Sequence, residues 1–300
     1  MKKRPARVRK LAWIISIVGV VLLITAISVI MFARSPSTSQ GAPKAQKSST
    51  TAPSAKPAVY FHTLPPGAKL PSSAYCARVV NESPSPELRP SNARFNHRRG
   101  QHVPPHGFFP QGDTSQVDQL APLINGDFTG STEDILRWAA CKWGIDQDVV
   151  FAQAATESAW QQNFLGDWTT DPTRCPAGHG LGADGVPGQC PESYGILQNN
   201  YPFEEAAWPG IALSTAMNAD VTYAIWRSCY NGDEIWLNNE PQGRPYAAGD
   251  LWGCVGRWFA GSWYTSAADR YISRVQDYLS ERIWLQPTFA HTLPTPGPGA

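Results

Sequence analysis

One carboxylate, Glu157, stands in the stretch ATESAW, at the end of the apolar run VVFAQAATESAW. A carboxylate withdrawn from water must be paired, exposed or put to use, because lost hydration is costly. On a helix, Val150, Ala154 and Glu157 fall at i, i+4 and i+7 and share one face. With that face inward, Glu157 lies at the edge of the core near the helix end. Desolvation there raises a carboxyl pKa, which suits a proton donor near neutral pH. The ordinary alternative is a surface acid that follows alanines.

Further along stands SYGILQ, residues 193–198. Gly195 would let backbone approach a ligand where a side chain would block it. Gln198 offers an amide donor and acceptor for hydroxyl or N-acetyl groups, or for a hydrogen bond within the fold. Tyr271, in RYISRV, can donate its hydroxyl to Glu157 or to a ligand, or serve as a core tyrosine on an amphipathic helix. Ser158 is placed to orient a ligand or the Glu157 carboxylate, or to end the helix.

Together these pieces resemble the soluble lytic transglycosylase family. The likeness covers roughly residues 145–285. Glu157, Ser158 and Trp160 match the catalytic Glu-Ser and the aromatic two residues on, and Gly195-Ile196-Leu197-Gln198 match Gly-Leu-Met-Gln. Arg257-Trp258-Phe259-Ala260-Gly261 matches Ala-Tyr-Asn-Ala-Gly weakly and lacks its Asn; Tyr271 matches the tyrosine that leads into the last helix. The resemblance implies a lysozyme-like fold and cleavage of the β-1,4 bond between N-acetylmuramic acid and N-acetylglucosamine in peptidoglycan, leaving 1,6-anhydromuramoyl ends. It implies Glu157 as acid and then base, with Ser158, Trp160, Gly195, Gln198 and Tyr271 binding the glycan. No cofactor or metal is expected.

Two other functions compete. A hydrolase of the goose-type lysozyme kind would need a second acid to hold water. Asp167, Asp171, Asp184 and Glu192 all lie between the two motifs, and Asp167, ten residues after Glu157, is the best placed. A wall-binding module without turnover is the third reading.

The elements that must position these residues read as helices. Ser131 caps STEDILRWAACKW with Asp134 at the capping-box position, and Asp146 caps the helix that ends in Glu157. Further helices are expected over residues 213–230, stopped by Asn231-Gly232, and over 250–259 and 266–284. In the last, Ile272, Val275, Leu279 and Ile283 recur on one face. Residues 163–192 read as a Gly- and Pro-rich loop, and no alternating strand pattern stands out. The fold class is mainly α. Eleven of the 12 tryptophans fall within 138–284, more than a core of this size requires, so a minority are expected to stack on sugar rings.

Charge and composition set the surroundings. The formal charge of +1 conceals six Lys/Arg in residues 1–10; the remainder carries 19 basic against 24 acidic residues, which speaks against a nucleic-acid partner. Residues 11–33 form an uncharged run long enough to cross a bilayer, preceded by the positive segment. That predicts a single-pass anchor in the cell membrane, N-terminus cytoplasmic and the rest outside, or a secreted protein if the segment is cleaved. A disordered Pro/Ser/Thr-rich linker over 34–75, an irregular extension over 76–129, the catalytic domain over 130–286 and a disordered tail over 287–300 follow. All six cysteines lie beyond the membrane segment and read as disulfides. Cys175–Cys190 is the first expected pair, with Cys141–Cys229 and Cys76–Cys254 completing the set. Peptidoglycan strands and the membrane are the expected partners, and protein partners are unassigned.

Overall fold

The computed structural model describes residues 58–101, 119–240 and 242–292. These residues are mainly helical, with one small sheet. Six helices of nine residues or more carry the architecture: α1 (Ser73–Asn81), α2 (Thr132–Trp143), α3 (Gln147–Ser158), α4 (Thr215–Asn231), α5 (Leu251–Ala260) and α6 (Ser266–Glu281). Their starts follow local chemistry. Side chains of Ser131, Asp146, Asp250 and Thr265 each accept a backbone N–H of the first turn, and each such cap contributes about 1 kcal/mol. Gly144, Gly232 and Gly261 end α2, α4 and α5 in the left-handed conformation that glycine adopts at little cost.

Helix α4 is central, with every residue from Thr215 to Cys229 buried. α2 and α5 pack on it, and α6 packs on both α3 and α5. Large rings fill the core: Trp138, Trp143, Trp160, Trp226 and Trp263 have no more than 1% exposure.

Several expectations are corrected. Residues 163–192 are not all loop. β1 (Leu165–Thr169) and β2 (Cys190–Tyr194) pair antiparallel, and β3 (Asn199–Asn200) adds to β2, in the order β1-β2-β3. The expected linker over 34–75 gives way, from residue 58, to a strap on the helix ends. Gln147 N–H donates to the Phe61 carbonyl (3.0 Å), Leu64 N–H to the Gly144 carbonyl (3.0 Å), and Arg227 Nη1 to the Leu64 carbonyl (3.0 Å). Side chains add to these backbone bonds: Asp146 N–H donates to Thr63 Oγ1 at 2.9 Å, and Phe61 and Leu70 pack against the core. Helix α1 begins at Ser73, still within the expected linker, runs into the expected irregular extension and packs on α2. The expected tail at 287–300 is docked as far as residue 292: Phe289 is buried, and Arg89 donates to the Phe289 and Ala290 carbonyls at 2.6 and 2.8 Å. The Asp134 carboxylate does not complete the capping box; it accepts from Ser85 N–H at 3.0 Å and ties the extension to α2.

Three disulfides form. Cys175–Cys190 is as expected, but the other pairs are Cys76–Cys141 and Cys229–Cys254, not Cys141–Cys229 and Cys76–Cys254. Packing decides this, because α1 on α2 and α4 on α5 bring the paired Cα atoms to 5.7 and 5.8 Å, within bridging distance. Residues 1–57, with the membrane-spanning segment expected at 11–33, lie outside the described residues. Among the described residues, no helix is long and apolar enough to cross a membrane.

Candidate active site

Glu157 occupies the last turn of α3, on its inward face. Helix ends need a way to stop, and here two residues turn left-handed in succession, Ala159 (φ 50°) and Trp160 (φ 62°). Trp160 N–H reaches back to the Ala154 carbonyl at 3.3 Å, satisfying a carbonyl of the last turns. Ser158 Oγ donates to the Ile196 carbonyl at 2.8 Å and accepts from Gln161 N–H at 3.0 Å. The α3 end is thereby locked onto the Gly195–Gln198 turn.

Three helices close around the carboxylate. Tyr271 of α6, buried, donates its hydroxyl to Glu157 Oε1. Phe259 of α5 lies flat on the Tyr271 ring, centroids 4.8 Å apart and planes 5° from parallel, which fixes the phenol. Trp258, also of α5, donates its indole N–H to the Leu197 carbonyl at 3.1 Å and lies close enough to steady the Glu157 carboxylate. Tyr223 of α4 stands behind, its hydroxyl donating to the Val150 carbonyl at 3.2 Å. Glu157 itself keeps partial contact with solvent.

Burial is the main cause that pushes the Glu157 carboxyl up to about 8. The Tyr271 hydrogen bond pulls it down, the charge of Asp167 pushes it up again, and Trp258 pulls it down. A carboxylic acid in this state holds a proton at neutral pH and can give it to an oxygen leaving group. After that transfer, the carboxylate finds the Tyr271 hydroxyl already aimed at it.

Of the four loop acids, three are engaged elsewhere. Asp171 caps a short 3-10 turn through Thr173 N–H (2.9 Å), Asp184 meets His179 Nδ1 (2.9 Å), and Glu192 binds Arg174 Nε (2.6 Å). Asp167, exposed on β1, accepts from Ser193 Oγ and is the loop acid whose charge reaches Glu157.

The other expected site residues fall into two groups. Tyr271 meets Glu157. Ser158 and Trp160 do not face a ligand: both are fully buried, and the Trp160 indole donates to the Phe151 carbonyl at 2.9 Å between the Phe151 and Phe289 rings. Gly195 is needed for a different reason than expected. With φ at +84°, a Cβ there would come within 2.4 Å of Asn218 Nδ2 and 2.6 Å of Gln162 Nε2, inside the fold. Gln198 Nε2 is spent on the Gly195 and Phe164 carbonyls (2.8 and 3.3 Å), while its Oε1 lies over Gly166, where a Cβ would meet it at 2.3 Å. These four residues build the frame that holds the acid.

Sequence reading assigned no role to Trp258, Phe259 or Tyr223. The first two stood in view at the weakly matching third motif, where Phe259 takes the place of the Asn. Its stack on Tyr271 accounts for an aromatic there. Glu204 was also missed: burial pushes it up to about 8, opposed by Arg257, which itself binds Glu234 at 2.6 Å and precedes Trp258. Trp168, Trp208, Trp236, Trp252 and Trp258 are the partly exposed tryptophans among the described residues; the Trp258 indole acts on Glu157, and Trp168 follows Asp167 in β1. Among the described residues, no group of three or more His, Cys, Asp or Glu side chains could hold a metal ion. Compared with family models, with curated proteins and with solved structures, the chain matches none.

Proposed function

We propose that this chain is a peptidoglycan lytic transglycosylase with a lysozyme-like catalytic domain, held at the outer face of the cell membrane by residues 11–33. The observation that carries the reading is the state of Glu157: a proton-holding carboxyl at a partly open site, hydrogen-bonded to Tyr271 and beside no second buried acid. In this reading Glu157 gives its proton to the glycosidic oxygen, and the bond from muramoyl C1 to that oxygen breaks. The muramoyl acetamide stabilises the cation. The Glu157 carboxylate then takes the proton of the muramoyl C6 hydroxyl as that oxygen bonds to C1. One group serves as acid and base, and no protein nucleophile is required. Tyr271 steadies the carboxylate between the two steps. This reading assigns sugar-face stacking to Trp258, beside Glu157, and to Trp168, next to Asp167 in the chain.

Asp167 favours a second reading, hydrolysis. An exposed acid whose charge reaches Glu157 is suited to hold a water molecule that replaces the C6 hydroxyl as acceptor. Mass spectrometry of purified glycan after digestion separates the two. Anhydromuramoyl ends support the transglycosylase; reducing ends carrying solvent 18O make it a hydrolase. Absence of any clearing on a peptidoglycan gel by the folded protein would sink both.

A further inference from the structure

Ser193 lies at the middle of the small sheet, paired with Gly166 of β1 on one side and Asn200 of β3 on the other. Its side chain is buried and doubly engaged: Oγ donates to Asp167 Oδ2 and accepts from Asn200 Nδ2 at 3.2 Å. The neighbouring Asn199 ties β3 to α4, its Nδ2 donating to Thr222 Oγ1 at 2.6 Å. The strand that carries Asn200 is thus anchored through its neighbour Asn199 to α4, and Asn200 and Ser193 pass hydrogen bonds on to Asp167.

Regular strand geometry would not produce this contact. Side chains alternate between faces, so Asp167 should share a face with Glu192 and turn away from Ser193. The ladder is in register on both sides of it, Gly166 with Ser193 before and Trp168 with Pro191 after. At Asp167 itself φ is +48°, in the left-handed region. Asp is among the few non-glycine types that tolerate this, and such conformations persist where the surroundings impose them. The turn brings the carboxylate to Ser193, while Glu192 goes to Arg174.

We propose that Ser193, held in turn by Asn200, is a positioning residue whose hydrogen bond turns the Asp167 carboxylate toward Glu157. The proposal deepens the reading of Glu157 as the proton donor and rests on it. The groups that act on Glu157 are Tyr271 from α6, Tyr223 from α4, Trp258 from α5 and Asp167 from β1, and Asp167 is the charged one among them. Its field helps Glu157 keep a proton. Freed from Ser193, the already exposed Asp167 carboxylate would turn further out into solvent, where its charge is screened more fully.

The test compares the full-length protein with Ser193→Ala, Ser193→Thr, Asn200→Ala, Asp167→Asn and the Ser193→Ala/Asp167→Asn double variant. The Glu157 carboxyl is followed by 13C NMR against pH, and glycan cleavage is followed over the same range. Ser193→Ala should lower the Glu157 midpoint by about one pH unit, the scale of a neighbouring charge, and move the basic limb of the rate profile by the same amount with KM unchanged. Ser193→Thr should restore both, Asp167→Asn should reproduce the shift, and the double variant should add nothing to it. An unchanged midpoint in Ser193→Ala overturns the proposal, as does a shift that persists when Asp167 is already Asn. If Ser193→Ala does not fold, Asn200→Ala decides: a smaller shift in the same direction supports the proposal, and none overturns it. Because the NMR midpoint needs no turnover, failure of the positioning claim is seen separately from failure of the catalytic reading.

Discussion

Two carboxylates sit deep in this protein, and their surroundings differ. Asp220, on α4, is completely buried and answered on every side: Lys142 Nζ at 2.6 Å, Trp143 Nε1 at 2.7 Å, and the N–H groups of Gly126 and Asn125 at 2.8 and 2.9 Å. Glu157 has the Tyr271 hydroxyl and the nearby Trp258 indole, with no cation, and Asp167 works against it. Asp220 shows that the fold can bury a charge with full compensation, through donors from α2 and from the segment before it. At Glu157 that compensation is withheld, and the group keeps its proton. Incomplete pairing next to solvent is what the proposed acid role of Glu157 requires, whereas complete pairing suits Asp220 to a structural role.

The contrast can be broken first at Glu157. Glu157→Gln removes the proton donor and should reduce glycan cleavage by about a thousandfold or more, the scale of acid–base catalysis. It should also stabilise the fold. The folded-state pKa of about 8 lies above the value of an unfolded Glu, so this residue favours the native state below the unfolded pKa, and that contribution is lost as pH rises toward 8. Thermal melts should show the variant gaining on the order of 2 kcal/mol at pH 8 and little at pH 4. A variant that cleaves at the wild-type rate, or gains nothing at pH 8, would contradict the assignment.

Asp220→Ala should do the reverse, costing about 3–5 kcal/mol because Lys142 is left buried without its partner. Denaturant unfolding measures this. A loss below about 1 kcal/mol, the scale of an exposed pair, would mean that Asp220 is not the structural anchor described.

Tyr271→Phe sharpens the comparison by removing the one hydroxyl that donates to Glu157. Since that hydrogen bond lowers the Glu157 pKa, its loss moves the basic limb of the rate profile upward, and the rate should fall about tenfold, the scale of one hydrogen bond to a charged group. A downward shift would show that the phenol acts otherwise. The smallest effect is expected at the α3 terminus. Ala159→Gly relieves a left-handed alanine and should change stability by no more than about 1 kcal/mol, in the favourable direction. A destabilised Ala159→Gly would show that the buried methyl outweighs the backbone.

Much of the helical frame was legible because its signals are local. A cap is a side chain meeting an amide two or three residues away, so Ser131, Asp146 and Asp250 mark their helix starts, as Gly232 marks an end. The inward face of α3 could be read from Val150, Ala154 and Glu157. The sheet could not be read: β1 and β2 are five residues each, and β2 (CPESY) is buried throughout, so it shows no alternation of apolar and polar residues. The strap at residues 58–72 escaped for a related reason: part of its binding uses backbone atoms that every sequence carries, and its apolar anchors Phe61 and Leu70 follow no helical or strand period.

The sequence by itself determined most helix termini, that six cysteines are available to pair and that an acid lies on an apolar helix face. Each depends on neighbours within a few turns or on composition. Only the tertiary structure decided which cysteines meet, that Ser158, Trp160, Gly195 and Gln198 serve the frame, and that Asp167 faces Glu157. The last rests on the reach of the Asp167 charge to Glu157; the others depend on residues brought together from well apart in the chain. Desolvation, the main cause of the raised pKa at Glu157, exists only once α4, α5 and α6 have closed around it.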